Sequence, residues 1–258
     1  MKIGIVVAMS SERVHLDPYA SVQTTERHGP WRVDCLTIAG KHVAAVTSGI
    51  GMANAAAGTE FLIQTERPDL IMNFGCAGAH RRDLLPGDVV IASEVINHSL
   101  MQIFPDGTER YTGYATESNG EHQHGFELES DPKLVELAQT AATANPPQPW
   151  PPSLFWPASI PYRLPEVHVG PVVSADTWTQ AHFRLDILHE RHGSLCEEME
   201  AAAIGRIAGL HGIPFLAIKD ISNNEYLRES DLASFSDFPI AEVGKRAATL
   251  LAQTIALV

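Results

Sequence analysis

Glu200-Ala201-Ala202-Ala203-Ile204-Gly205-Arg206-Ile207-Ala208-Gly209-Leu210-His211-Gly212-Ile213-Pro214-Phe215-Leu216-Ala217-Ile218-Lys219-Asp220-Ile221-Ser222-Asn223 reads as one unit of an α/β fold. The alanine-rich half predicts a helix over residues 200–211. Gly212 ends it, and Pro214 prevents its continuation. Residues 215–221 then predict a buried strand. The polar pair Ser222-Asn223 follows at its carboxyl end, where open α/β sheets bind ligands. A plain turn with a helix cap is the alternative reading of that pair.

The same alternation extends outward. Strands are predicted over 3–9, 31–38, 42–47, 70–73, 89–95 and 167–174, and helices over 52–63, 132–144, 179–192 and 238–257. Ala39-Gly40-Lys41 predicts a hairpin. Phe74-Gly75-Cys76-Ala77-Gly78-Ala79 reads as a glycine-rich turn after the fourth strand. The pattern predicts one α/β layered domain over residues 1–258. It is interrupted at about 146–165, where eight of the seventeen prolines gather around Trp150 and Trp156. Proline fixes φ and removes a donor, so this insertion is either a surface loop packed by its own aromatics or a cover over a pocket.

Composition narrows the function. With 31 acidic against 18 basic side chains, the formal charge is −13, which repels phosphate backbones and argues against nucleic acid as partner. No apolar run reaches the roughly 20 residues that cross a bilayer, so no membrane partner is expected. The first residues read as a buried strand and not a signal peptide, and a cytoplasmic location is expected. Cys35, Cys76 and Cys196 form no paired pattern. Of twelve histidines, His122 with His124 and His189 with His192 are close in sequence but lack a convincing ligand spacing; the histidines are expected at the surface. The sequence carries no signature of a metal, flavin or nicotinamide cofactor.

Three segments could carry chemistry. Ser48-Gly49-Ile50-Gly51 and Gly75-Cys76-Ala77-Gly78 would let backbone approach a ligand, or are merely tight strand–helix connections. Neither matches a dinucleotide or phosphate-loop fingerprint. In Cys196-Glu197-Glu198-Met199-Glu200, acids before a helix complement its dipole. That account leaves Glu198-Met199-Glu200 unexplained, since its carboxylates aim differently around a thioether suited to a flat ring.

Taken in order, these pieces resemble the nucleoside phosphorylase/nucleosidase family, and most nearly its methylthioadenosine/S-adenosylhomocysteine nucleosidase and futalosine hydrolase branches. The resemblance rests on Ile3-Gly4-Ile5 with Ala8-Met9 and Glu12, and on Ser48-Gly49-Ile50-Gly51 with Ala53. It continues through Asn73-Phe74-Gly75-Cys76-Ala77-Gly78, Gly87-Asp88-Val89-Val90 and Val173-Ser174-Ala175-Asp176-Thr177-Trp178. Glu198-Met199-Glu200-Ala201, Ile221-Ser222-Asn223 and Ser234-Phe235-Ser236-Asp237-Phe238 complete it. About 97–165 matches poorly.

The resemblance implies a three-layer α/β/α fold around a mixed sheet, and a homodimer in which the neighbouring subunit, through the region of Phe104, completes the pocket for a 5′ substituent. It implies hydrolysis of the N-glycosidic bond of a 5′-modified purine nucleoside. By this resemblance Glu12, Glu200 and Asn223 would be catalytic. Glu12 would activate water, Glu200 would hold the ribose hydroxyls, and Asn223 would meet the leaving base. Ile50, Cys76, Ala77, Gly78, Trp178, Glu198, Met199 and Ser222 would bind substrate, with Trp178 stacking on the base and Met199 against the ribose.

Two departures bear on the reaction. The family's phosphorylases place arginines before the glycine-rich segment and in an early loop; here Asn73 and Met9-Ser10-Ser11-Glu12 stand there, with Arg13 out of pattern. Without guanidinium groups phosphate binds poorly, so water is the expected nucleophile. Adenine-specific members carry Asp where Asn223 stands. An amide supplies no proton but can donate to N7 or a 6-oxo group, which suggests a 6-oxopurine. A phosphate-dependent phosphorylase, or a non-catalytic nucleoside-binding protein on the same fold, are the competing readings.

Overall fold

The computed structural model describes residues 1–118, 120–125, 127–154, 156, 160–227 and 239–258. The chain begins with β1 (Lys2–Val7), the one-turn α1 (Ser10–Arg13), β2 (Ala20–His28), β3 (Trp31–Ile38), β4 (Lys41–Thr47) and α2 (Met52–Glu66). Its middle carries β5 (Leu70–Ala79), β6 (Val89–Asn97), β7 (Met101–Ile103), β8 (Glu109–Tyr111), β9 (Tyr114–Ser118), β10 (Glu121–Gly125), β11 (Leu128–Glu129) and α3 (Pro132–Ala144). It ends with β12 (Val167–Ser174), α4 (His182–His192), β13 (Cys196–Glu198), α5 (Ala201–Leu210), β14 (Phe215–Asn223) and α6 (Lys245–Leu257).

One large mixed sheet runs β11-β6-β12-β13-β5-β1-β4-β3-β2, and β14 pairs with both β5 and β6. The strands β5, β14, β6, β12 and β13 therefore close a ring. Alternation along β1 and β4 divides the core in two. Ile3, Ile5, Val7, Val43 and Ala45 pack with α3 and α6. Val6, Ala44 and Val46 pack with α2 and α5 on the other face. This period-2 split is the geometry of a strand buried on both sides. Gly4 lets α2 approach, since a Cβ there would lie 3.1 Å from Leu62 and Pro68. The three-layer α/β/α expectation is met.

Several boundaries differ from the sequence reading. The hairpin turn is correct, with Ala39 and Gly40 at φ 48° and 76°. Gly75-Cys76-Ala77-Gly78, however, is not a turn between strand and helix: β5 runs straight through it, paired with β14. Ser222 and Asn223 close β14 as strand and cap no helix. α4 begins at His182 and not at 179, and α6 begins at Lys245 and not at 238. Asp220 explains the later start of α6, because its carboxylate accepts from Gly244 N at 2.8 Å and Arg246 N at 3.0 Å. The sequence reading also lacked β2, whose residues are mostly exposed. Ser234 to Phe238 lie outside the described residues.

The proline-rich insertion packs on its own aromatics. Trp150 is 1% exposed, lies under the Arg246 guanidinium 4.9 Å away, and its carbonyl accepts from Tyr162 Oη at 2.8 Å. Arg163 pins the far end to Asp88, a fully buried carboxylate, at 2.5–2.6 Å.

Candidate active site

The carboxyl ends of β1, β4, β5, β12 and β14 open onto one cavity of about 280 Å³. Each of the eleven residues singled out from sequence lines it: Glu12, Ile50, Cys76, Ala77, Gly78, Trp178, Glu198, Met199, Glu200, Ser222 and Asn223. None of the described residues of the proline-rich insertion does. The region of Phe104 is likewise absent from the cavity wall of its own chain.

Glu12 sits in the single turn α1, which follows β1 directly. Its Oε1 accepts from Cys76 N at 3.1 Å and its Oε2 from Met9 N at 3.3 Å. Burial pushes its pKa up, against the opposing pull of Lys219. The close approach needs Gly75, where a Cβ would lie 2.7 Å from Glu12 Oε1. The glycines of β5 thus serve contact across the strand and not a bend.

Glu200 stands at the N-terminus of α5 and accepts from Gly51 N at 2.8 Å. Burial, then the neighbouring Glu198 charge, raise its pKa to about 7. Gly51 has φ 98°, a region closed to other residues. Asp176 Oδ1 accepts from Met52 N at 2.7 Å beside it, tying β12 to the start of α2.

Glu198 lines the wall with its carboxylate already engaged. It meets Lys219 Nζ at 2.7 Å, the amides of Glu200 and Ala201 at 3.0–3.1 Å, and the Ser174 hydroxyl. Lys219, 1% exposed, has its pKa raised to about 12 by Glu198 and Glu200 despite burial. Lys219 and Asp220, for which the sequence suggested no role, hold respectively the cavity floor and α6.

Glu197 and Glu225 also line the cavity, and sequence reasoning overlooked both. Glu197 accepts from Thr179 N at 3.0 Å and Thr179 Oγ1 at 2.9 Å, and lies 2.8 Å from His98 Nε2. His98 and His80, 4% and 1% exposed, correct the expectation of surface histidines. Desolvation keeps His80 neutral, with its pKa lowered to about 4. Glu225 accepts from Asn223 Nδ2 at 2.8 Å. The polar run Ser222-Asn223-Asn224-Glu225 after a buried strand was the available signal for it.

Five carboxylates, those of Glu12, Glu197, Glu198, Glu200 and Glu225, thus face one cavity, and none of the described residues lining it is arginine or lysine. Arg13, the nearest candidate in sequence, is turned away onto Asp34 at 2.9 Å and Asp17 at 2.7 Å. Asn73 is spent on Val6 O at 2.9 Å. No group of three or more His, Cys, Asp or Glu among the described residues is arranged to hold a metal.

A family model described as the phosphorylase superfamily matches residues 2–256. The chain belongs to the phosphorylase superfamily. Within that superfamily it is 31% identical over 240 residues to a 5′-methylthioadenosine/S-adenosylhomocysteine nucleosidase of Chromohalobacter salexigens, covering 92% of this chain and 89% of that protein. The nucleosidase of the same name from Maridesulfovibrio salexigens is 30% identical over 224 residues, or 86% of each chain. Among solved structures, the Neisseria meningitidis nucleosidase in complex with methylthio-immucillin-A superposes with a TM-score of 0.78 at 24% identity, covering 100% and 99% of the two chains. The Helicobacter pylori futalosine hydrolase superposes with a TM-score of 0.79 at 19% identity, covering 100% and 98%. These two likenesses establish the fold of this superfamily member.

Proposed function

We propose that the chain is a purine-nucleoside N-ribosyl hydrolase acting on a nucleoside with a modified 5′ position. The observation that carries this reading is the ring of five carboxylates without a lining arginine or lysine. Such a cavity favours a cationic transition state and disfavours inorganic phosphate. As the C1′–N9 bond breaks, its electron pair leaves with the base and C1′ becomes oxocarbenium-like. Glu12 orients the water and takes its proton as oxygen bonds to C1′. Burial, which raises its pKa, makes it a stronger proton acceptor than an exposed carboxylate. Glu200 accepts hydrogen bonds from the ribose hydroxyls, Met199 lies against the sugar, and Trp178 stacks on the purine. Asn223 donates to the leaving base. Glu198, held by Lys219, keeps Glu200 in place. The named relatives, two methylthioadenosine/S-adenosylhomocysteine nucleosidases and a futalosine hydrolase, support a 5′-modified purine nucleoside as substrate.

We further infer a homodimer in the cytoplasm. A second depression of about 390 Å³ lies between α2 and α5, lined by Met52, Ala53, Ala56, Leu100, Ala203 and Ile207 among others. Its apolar lining supports a second copy of the chain as occupant, and the β7–β8 hairpin carrying Phe104 is the element suited to reach the partner's cavity. The three cysteines are free, as a reducing compartment favours.

The test is chromatographic base release from methylthioadenosine, S-adenosylhomocysteine, futalosine and inosine, with and without phosphate. Release independent of phosphate from a 5′-modified nucleoside is expected. Release only with phosphate, yielding a ribose 1-phosphate, would establish phosphorolysis instead.

A further inference from the structure

The proposed reaction needs the base to be recognised, and Asn223 alone is an incomplete reader. An amide can turn either its NH2 or its carbonyl toward a ligand. Glu225 removes that choice. Its Oε1 lies 2.8 Å from Asn223 Nδ2, and a carboxylate can only accept, so the NH2 must face it. The carbonyl is then directed at the Ser222 hydroxyl, 2.8 Å away. One Asn223 N–H and Glu225 Oε2 remain without a hydrogen-bond partner among the described residues, and both side chains line the cavity.

The turn that holds Glu225 is anchored independently of any ligand. The neighbouring Asn224 donates through Nδ2 to Arg81 O and Leu84 O, both at 2.7 Å, and its Oδ1 accepts from Tyr226 N at 3.1 Å. His182 Nε2 lies 3.0 Å from Glu225 O. Tyr226 Oη donates to Asp186 at 2.6 Å. A carboxylate at 8% exposure, aimed at a cavity from a braced turn, is placed for contact with a ligand and not for solvation.

We propose that Glu225 is a base-recognition residue, acting with Asn223 as a donor–acceptor pair that reads the edge of the purine. Asn223 Nδ2 donates to a ring or exocyclic acceptor, and the Glu225 carboxylate accepts the N–H beside it. Three purine edges offer that arrangement: N7 with the 6-amino group, N1 with the 6-amino group, and O6 with N1–H. The expectation of a 6-oxopurine drawn from Asn223 alone is therefore widened to any purine with an N–H adjacent to an acceptor on this edge. Unsubstituted purine, which has hydrogen at position 6 and no proton on N1, lacks it.

The inference rests on the proposed function, but its test does not require turnover. Calorimetric affinities of hypoxanthine, adenine and unsubstituted purine would be compared for the unaltered protein and Glu225→Gln. The glutamine is isosteric; with its carbonyl toward Asn223, it turns an NH2 toward the base. For whichever of hypoxanthine and adenine binds, affinity should fall about ten- to a hundredfold, the range of a lost hydrogen bond to a charged group. Purine affinity should stay within about threefold, which also shows that the variant is folded. Preference for hypoxanthine or for adenine in the unaltered protein identifies whether a 6-oxo or a 6-amino group is read. Equal weakening for all three bases, unchanged affinity for all three, or no base bound by the unaltered protein would each overturn the proposal. Failure of phosphate-independent base release with base recognition intact would overturn the hydrolase reading and leave this one standing.

Discussion

Glu12 and Glu200 are two buried carboxyls with separable tasks. Glu12→Gln should lower kcat by about 10²–10⁴-fold, the usual worth of a positioned base, while leaving substrate affinity largely intact. Unchanged turnover in steady-state kinetics would remove Glu12 from the water-activating role. Only ionised Glu200 accepts from the sugar hydroxyls through both oxygens and offsets the cationic transition state, and its pKa is raised to about 7. We therefore expect kcat/KM to rise with pH through about 7 and to level off above it. A pH–rate profile checks this, and Glu200→Gln should remove that limb along with most activity. Ile50, Cys76 to Gly78, Glu198 to Glu200 and Ser222-Asn223 were readable because each stands in a local polar or glycine-rich signal, whereas Glu12 and Trp178 were reached only through the family resemblance. Glu197 was not assigned, because its task depends on Thr179 and His98 being brought beside it, and Glu225 was passed over although the polar run at the end of β14 signalled it.

At the scale of elements, the glycines of β5 teach the most. In sequence Gly75 and Gly78 suggest a turn, because glycine frees the backbone. In the fold they stay in a paired strand and make room for side chains from elsewhere; a Cβ at Gly78 would lie 3.3 Å from Asn223 Nδ2. One-dimensional patterns register missing bulk but not what fills the space. β2 escaped for the converse reason, since an exposed edge strand shows no apolar alternation and is held by pairing to β3. Two tests belong here. Gly51→Ala, at φ 98° and with its Cβ 2.7 Å from Asp176 Oδ1, should cost about 1–3 kcal/mol in denaturant unfolding and displace the amide that Glu200 holds. Glu198→Gln strips the buried Lys219 of its closest counter-charge and should cost about 3–5 kcal/mol. A Glu198→Gln/Lys219→Met double variant should recover part of that loss.

For the whole molecule, buried groups of opposite kind act on stability in overlapping pH windows. Glu200 and Asp220 have pKa values raised to about 7, both chiefly by burial. The folded state holds their protons where the unfolded chain releases them, so their contribution falls as pH rises toward 7. His80 and His192, with pKa values lowered to about 4 by burial, do the reverse. The unfolded chain takes up protons that the folded state refuses, so their contribution is lost as pH falls from about 6.5 to 4. Thermal melts from pH 4.5 to 8 should show His80→Gln gaining on the unaltered protein toward the acid end, and Glu200→Gln gaining toward the alkaline end. A uniform offset in either variant would contradict this assignment.

Two of the four tryptophans report on different parts of the protein, against the common background of Trp31 and Trp156. Trp150 is sealed beneath Arg246, away from the cavity wall, whereas Trp178 stands at the cavity and is 45% exposed. Emission from Trp150 follows melting of the α6 end of the molecule; emission from Trp178 follows occupancy of the cavity. Subtracting the emission of a Trp178→Phe variant from that of the unaltered protein would isolate the occupancy signal, leaving Trp31, Trp150 and Trp156 to follow unfolding.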